Sequence, residues 1–241
     1  MKLAAPQIGF DRFIRLEWVA TVLSVRNGAT SIDTLKEQLE LSGLGKEALA
    51  KSLTKLNGLG LQPRKDLTDF VDRGRSIISI GTGLEELAAY GWGASIAAYP
   101  FFGKVAELIG RLTLLQGDCS TSEIYRRMSE VYGDREVTKR ATQAVIQTQS
   151  NWGAVNRVDK GKRLIRLTPI SLKSDALTAW LIEAALRYAG KPLSVPVLQS
   201  LPVLFPFALE HSLAYVVSNS TNLTLRTEGM NNQFVVLSNT I

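Results

Sequence analysis

The chain of 241 residues is predicted to be mainly α-helical with short β-hairpins, and to divide into three linked units, residues 1–75, 76–170 and 171–241. Three observations support this prediction. Apolar residues recur at spacings of three and four along most of the chain, which is typical of amphipathic helices. Glycine, proline and helix-capping residues interrupt these stretches at short intervals. In the second and third units, the helical stretches are followed by segments in which polar and apolar residues alternate, the pattern of paired strands.

The first unit is predicted to be a small helical domain. Leu16, Val19 and Leu23 fall on one face of a first helix, a second helix begins near Ser31, and a third covers about residues 46–56. Glycines and a proline between residues 58 and 63 end the third helix. Residues 76–80 are then expected to form a short strand or buried turn. Residues 1–100 carry 12 Lys/Arg and 11 Asp/Glu, so nucleic-acid contact is not expected there.

The second unit has the clearest pattern. A helix is predicted over residues 101–115, a second begins at Ser120 or Thr121, and a third is capped by Asp134 and ends near residue 151. Residues 154–158 and 162–167 then alternate polar and apolar side chains around a turn that contains Gly161, which predicts a hairpin. This order is the outline of a winged helix-turn-helix. The predicted fold is therefore mainly α with short β-hairpin wings, in linked winged helix-turn-helix-like units.

The third unit repeats that order in weaker form. A helix carrying Leu177, Trp180 and Leu181 is followed by two short segments and by two candidate strands, residues 222–227 and 233–238. Residues 171–241 carry 4 Lys/Arg and 4 Asp/Glu. A winged-helix-like domain without net charge is expected to serve packing or protein contact.

The charge distribution points to the second unit as a DNA-binding surface. Residues 101–170 carry 12 Lys/Arg and 7 Asp/Glu, a net charge of +5 out of +6 for the chain, and such a local excess is typical of an electrostatic footprint. In a helix-turn-helix the second helix enters the major groove, and a basic wing reaches phosphates or the minor groove. The candidate DNA-binding residues are Arg126, Arg127, Arg135, Thr138, Lys139, Arg140, Thr142, Gln143, Arg157, Lys160, Lys162, Arg163 and Arg166.

Within this set, Arg135, Lys139, Thr142, Gln143 and Ile146 are expected on the outward face of the third helix, with Thr138 and Arg140 on its flanks. The inward stripe is expected to include Val137, Ala141 and Val145. The prediction requires that the cations converge on a single surface. The same residue pattern is also compatible with the solvated face of an ordinary amphipathic helix, and with basic edge strands whose charges prevent aggregation.

Catalytic and metal-binding functions find little support in the sequence. His211 is the only histidine and Cys119 the only cysteine, so no catalytic residue, no metal site and no cofactor is predicted. A carboxylate-only metal nuclease that uses pairs such as Glu85 and Glu86 remains an alternative.

No apolar segment is typical of a signal peptide or a membrane span, so no membrane contact and a cytoplasmic location are expected. Oligomeric state and DNA sequence preference stay open.

Several short segments resemble the BrxA family of BREX phage-defence systems. They are residues 99–102, 105–111, 132–135, 140–141, 151–153 and 180–184. The resemblance implies a winged-helix DNA-binding protein that acts beside larger BREX components, a methyltransferase and an ATPase among them, without catalysis of its own. On matching positions it implies Arg135 and Arg140 as DNA contacts.

The resulting prediction is a non-catalytic double-stranded DNA-binding protein, an accessory component of a BREX-type bacteriophage defence system, with other BREX proteins as further candidate partners. Besides the nuclease, two alternatives remain. The chain could be an adaptor that docks partner proteins of a defence or regulatory complex, its basic face meeting an acidic partner, or it could be a transcriptional regulator.

Overall fold

The computed structural model describes residues 6–78, 83–228 and 232–238. It is mainly helical with small β-sheets, as predicted. The helices of the first unit, in the described part, are α1 (Leu16–Arg26), α2 (Ile32–Leu41), α3 (Lys46–Leu56) and α4 (Thr68–Ile77). Ser31 caps α2 by accepting a hydrogen bond from the backbone N–H of Thr34. The strand or turn expected over residues 76–80 is not found in its first part, because Ser76 and Ile77 belong to α4; residues 79 and 80 lie outside the described ranges.

The second unit contains the predicted helices and hairpin in their predicted order, together with one strand, β1, that was not predicted. Its elements are α5 (Leu84–Ala98), α6 (Pro100–Gln116), β1 (Asp118–Ser120), α7 (Thr121–Tyr132), α8 (Glu136–Asn151), β2 (Val155–Val158) and β3 (Arg163–Arg166). The strands form an antiparallel sheet in the order β1-β3-β2, so the hairpin predicted around Gly161 is confirmed. Ser120 caps α7 through the backbone N–H of Glu123.

The start of α8 differs from the prediction. Asp134 does not cap this helix, because the helix begins two residues later at Glu136. Arg135 occupies the N-cap position in an extended conformation, and no side chain makes a capping hydrogen bond there. The physical reason is that Gly133, with a left-handed φ of 86°, ends α7 and is followed by a bend at Asp134 and by the extended Arg135.

The remaining residues repeat the arrangement of the second unit. They form β4 (Ile170–Leu172), α9 (Asp175–Ala189), β5 (Leu193–Ser194), α10 (Val195–Gln199), β6 (Phe207–Leu209), α11 (Leu213–Ser218), β7 (Leu223–Glu228) and β8 (Asn232–Leu237). The sheet order is β5-β8-β7, and β4 pairs with β6 in parallel. We call residues 100–166 the central unit and residues 175–237 the C-terminal unit. Each has a helix, a strand, two further helices and two final strands, and in each the first of these strands pairs with the last. The C-terminal unit has one additional strand, β6, between its second and third helices.

Helix α5 lies between these two units and is buried from Leu87 to Ala97. Its glycines make room for two tryptophans. A Cβ atom on Gly91 would lie 3.2 Å from the ring of Trp152, at the end of α8, and one on Gly93 would lie 2.2 Å from the ring of Trp180, on α9. Because both rings rest directly on its backbone, α5 is a common support for the central and the C-terminal unit.

The apolar core follows the same layout. One cluster runs from Phe10 through the first and central units to Phe207, and a smaller one packs α9 and α11 against the last sheet. Helix α9 contributes to both, with Trp180 in the first and Ile182 in the second. Nowhere in the described ranges does a helix combine the length and the apolar character that crossing a bilayer requires.

Candidate nucleic-acid interface

The hairpin of the central unit ends in a tight left-handed turn. Asp159, Lys160 and Gly161 have φ angles of 51°, 57° and 82°. In the described part of the chain, Asp159 and Lys160 are the non-glycine residues with positive φ, a conformation that is costly for most side chains and concentrates at functional positions. The turn leaves Lys160 and Lys162 exposed. Thr121, the first residue of α7, donates from both its backbone N–H and its hydroxyl to the Lys162 carbonyl, which fixes the hairpin to that helix.

Arg157 connects the hairpin to the helices. It pairs in register with Leu164, whose side chain is fully buried, so Arg157 extends from the face of the sheet that is turned toward the helices. Burial raises the pKa of Tyr125 on α7, and the nearby charge of Arg157 acts against that shift. Tyr125 also lines an open groove of about 510 Å³ between α7 and α8, together with Arg126 and Lys139. Tyr125 therefore lies between a cation of the hairpin and a cation of α8.

The outward face of α8 is rotated from its predicted position. Lys139, Arg140 and Gln143 are exposed, as expected. The predicted outward direction of Thr142 is wrong, as is the flanking position of Thr138, because both are 0% exposed. Ile146 is also buried, whereas Val137, expected inside, is 46% exposed.

The C-terminal end of α8 contacts a distant part of the chain. The segment before α1 packs on α8, where the backbone N–H of Ile14 donates to the Thr148 hydroxyl and that of Leu16 donates to Asn151. Thr148, which is fully buried, lies at this contact. Thr142 satisfies its hydroxyl by donating to the Thr138 carbonyl, 2.8 Å away.

Four of the candidate arginines are engaged with carboxylates. Arg126 and Arg127 both bind Glu123, and Arg126 also binds Glu130. These hydrogen bonds lower the pKa of Glu123 to about 2. Arg140 binds Glu136 at 3.0 Å, and Arg163 lies 3.5 Å from Asp118 and 3.3 Å from Asp159. Ion pairs at such exposed positions are weak, so these arginines can exchange a carboxylate for another anion.

Apart from the half-buried Arg166, five cations of the central unit have no carboxylate oxygen within 4.0 Å in the part of the chain that the structure describes. They are Arg135, Lys139, Arg157, Lys160 and Lys162, and all are exposed. Three belong to the hairpin and two to the start of α8. The Arg135 guanidinium donates to the Tyr132 carbonyl at 2.8 Å, which orients it without neutralising it. The hairpin and the first turns of α8 thus carry the available positive charge.

Arg166 does not belong to this surface, contrary to the prediction. Its side chain turns away from the hairpin tip and donates from Nη2 to the Phe205 carbonyl, with the guanidinium carbon 5.8 Å from the centre of the Phe205 ring. Burial lowers its pKa. The reason is tertiary: residues 202–207 pack beside the end of β3, and a half-buried position there favours an arginine whose stem is apolar.

Sequence reasoning missed Tyr125, Val137 and the segment before α1. The apolar spacing gives no indication that Val137 is exposed. The position of Tyr125 next to Arg126 on the same helix, however, could have indicated an amphipathic contact residue.

Other chemistries find few residues in this fold. Within the described ranges, no three His, Cys, Asp or Glu side chains are grouped as metal ligands would be. Cys119 is buried, and burial raises the pKa of its thiol to about 12. His211 lies 2.5 Å from Asp175, far along the chain from the basic surface.

Comparison with family models, with curated proteins and with solved structures finds no match to this chain.

Proposed function

We propose that this chain is a non-catalytic double-stranded DNA-binding protein whose central unit is a winged helix-turn-helix. Helices α7 and α8 would form the helix-turn-helix, and the hairpin of β2 and β3 the wing. The order of elements and the β1-β3-β2 sheet support this assignment. The observation that carries the proposal is the set of five uncompensated cations on the hairpin and the start of α8.

The proposed binding mode assigns different tasks to the helix and the wing. The first turns of α8 enter the major groove, where Gln143 can make paired hydrogen bonds to adenine and Val137 can contact a thymine methyl group. Lys139 and Arg135 lie beside them. On the wing, Arg157, Lys160 and Lys162 bind phosphates or the minor-groove edge. The paired arginines Arg126, Arg127, Arg140 and Arg163 lie near this surface, and each can add a phosphate contact when its carboxylate partner is removed.

The salt dependence of binding tests this proposal. With about five phosphates neutralised, the logarithm of the affinity for random duplex DNA should fall with the logarithm of salt concentration at a slope of about −4 to −5. Replacing Arg157, Lys160 and Lys162 with alanine should bring the slope to about −2, measured by fluorescence anisotropy between about 50 and 200 mM salt.

The matched control removes the same charge elsewhere. Alanine at Lys173, Lys191 and Arg226 also lowers the net charge by three but leaves the central unit intact. Its slope should equal that of the unmodified protein. Equal losses in both variants would show that net charge, rather than this surface, attracts the duplex. An unchanged slope in the wing variant would remove the hairpin from the interface.

The resemblance to the BrxA family supports a further part of the proposal, a role in the cytoplasm as an accessory component of a BREX-type phage defence system. Cells that carry the complete locus with the wing variant should then lose protection in a phage plating assay, while the control variant keeps it. Protection unaffected by either variant would separate DNA binding from defence. A duplex that fails to bind at about 50 mM salt would instead favour an adaptor that docks partner proteins.

A further inference from the structure

We infer that a groove behind the wing docks an acidic, apolar peptide segment of a partner protein. The groove has a volume of about 250 Å³ and lies between the end of α6, the end of β3 and residues 198–209. This inference does not depend on the proposed DNA binding, because the groove shares none of the five uncompensated cations.

The walls of the groove are apolar and firmly held. Leu198, Leu201, Phe207 and Leu209 line it. Leu114 forms part of its rim and is 62% exposed, a large apolar side chain without cover. At the base, α6 and residues 202–205 are in close contact, since a Cβ atom on Gly110 would lie 2.1 Å from the Pro202 carbonyl oxygen. A preformed apolar concavity of this kind binds apolar side chains at low conformational cost.

The groove also contains one positive charge that nothing compensates. The guanidinium of Arg166 lines it, and no lining residue is acidic. In the described part of the chain, Arg166 has no carboxylate partner, and its buried Nε has no hydrogen-bond acceptor. A half-buried cation without a counter-ion is costly. A carboxylate from an incoming segment would supply the missing partner through a charge-assisted hydrogen bond.

The shape and lining of the groove favour a peptide over DNA. A duplex presents phosphates along a convex backbone and gains most from exposed cations, whereas Arg166 sits within an apolar recess. A peptide can place an apolar side chain in the recess and an Asp or Glu side chain on the guanidinium. Charge complementarity and the uncovered leucine therefore fit the same occupant.

Two labelled peptides test the inference directly. One contains Leu-Asp-Glu-Leu-Phe between Gly-Ser flanks, and the other replaces the acidic pair with Asn-Gln. Fluorescence anisotropy on the full-length protein should show that the acidic peptide binds about tenfold or more tightly than the amide peptide. A random DNA duplex should not displace it. Equal affinities, no binding of either peptide at millimolar protein, or displacement by DNA would each overturn the inference.

Variants locate the binding. Arg166→Gln should remove the preference for the acidic peptide, and Arg166→Lys should restore part of it. Arg166 also donates to the Phe205 carbonyl, so a second variant leaves Arg166 in place. Leu114→Glu puts a negative charge on the rim of the groove. It should weaken binding of the acidic peptide about tenfold or more. Leu41→Glu is the matched control, at a leucine on α2 that is 89% exposed. If the Leu41 and Leu114 variants bind alike, the peptide is not in this groove.

Discussion

The central and C-terminal units share one arrangement of their three-stranded sheet and, apart from the additional strand β6, one order of elements, yet they present different surfaces. In the central unit the third helix, α8, has 16 residues, and the hairpin carries three uncompensated cations. In the C-terminal unit the corresponding helix, α11, has 6 residues, and Arg226 of the hairpin pairs with Glu228 two residues along the same strand. Residues 101–170 have a net charge of +5, whereas residues 171–241 have none.

This difference shows that topology sets where helices and hairpins lie, while individual side chains set what a surface can bind. The first helix of the C-terminal unit, α9, places Trp180 and Ile182 in two cores at once. Its sequence is therefore committed to packing. In the central unit the corresponding helix, α6, is buried in the same way, and the charge lies on the exposed face of α8 and on the hairpin.

The largest effect on stability is expected from removing a glutamate that pairs with an arginine four residues later. Each of the two units contains such a pair. Glu183 on α9 is 2% exposed and accepts from Arg73 at 2.6 and 2.8 Å and from Arg187. Glu183→Ala leaves two partly buried cations without a partner and should lower the free energy of unfolding by about 3 kcal/mol. Glu136→Ala removes the exposed pair with Arg140 and should cost about 0.5 kcal/mol or less. Urea denaturation measures the free energy of unfolding of both variants. Similar losses in the two would contradict the expected difference between the buried and the exposed pair.

A smaller effect is expected at the two glycines that support the units. Gly93→Ala would drive a methyl group into Trp180, whose ring is stacked on Phe70 at 4.5 Å and on Tyr90 at 5.4 Å and cannot move aside. We expect a loss of about 2 kcal/mol in thermal or urea unfolding. Gly91→Ala meets Trp152 at 3.2 Å, and the gain in helix propensity offsets the contact, so its stability should stay within about 1 kcal/mol of the unmodified protein. A larger loss of stability in Gly91→Ala than in Gly93→Ala would contradict the closer packing of Trp180 on α5.

The smallest effect concerns DNA affinity. Glu136→Gln frees Arg140 at the start of α8 and removes a carboxylate from the proposed interface. Affinity for duplex DNA at about 50 mM salt should rise a few-fold, and the salt slope should steepen by about one. The matched change in the C-terminal unit, Glu228→Gln, frees Arg226 and should leave both unchanged. A gain of the same size from Glu228→Gln would mean that the C-terminal hairpin also faces the duplex.

The order of elements was predictable because its signals are local. Apolar spacing, the Ser120 cap and the glycine turn of the hairpin act within a few residues, and the structure has them where the sequence indicates. The C-terminal strands were found for the same reason. The start of α8 was misplaced by two residues, since Asp134 offers a capping side chain that the connection after Gly133 does not use.

The exposed surface was predictable only in part. The pairing of Arg126 with Glu123 and of Arg140 with Glu136 follows from i, i+3 and i, i+4 spacing and could have been anticipated. The burial of Thr138 and Thr142 could not, because it depends on tertiary packing around α8 and leaves no signal in the apolar spacing of the helix. Arg166 likewise meets Phe205 through tertiary packing that leaves no periodic signal.

Helix α5 has a mechanical consequence. With its flanks enclosed and a tryptophan pressed onto its backbone from either unit, neither unit can swivel about it without expelling an aromatic ring. The central and C-terminal units are therefore fixed relative to each other. The orientation of a ligand on the central unit sets the direction in which the C-terminal unit points. Ligands bound to the two units at the same time would therefore be held at a fixed angle to each other.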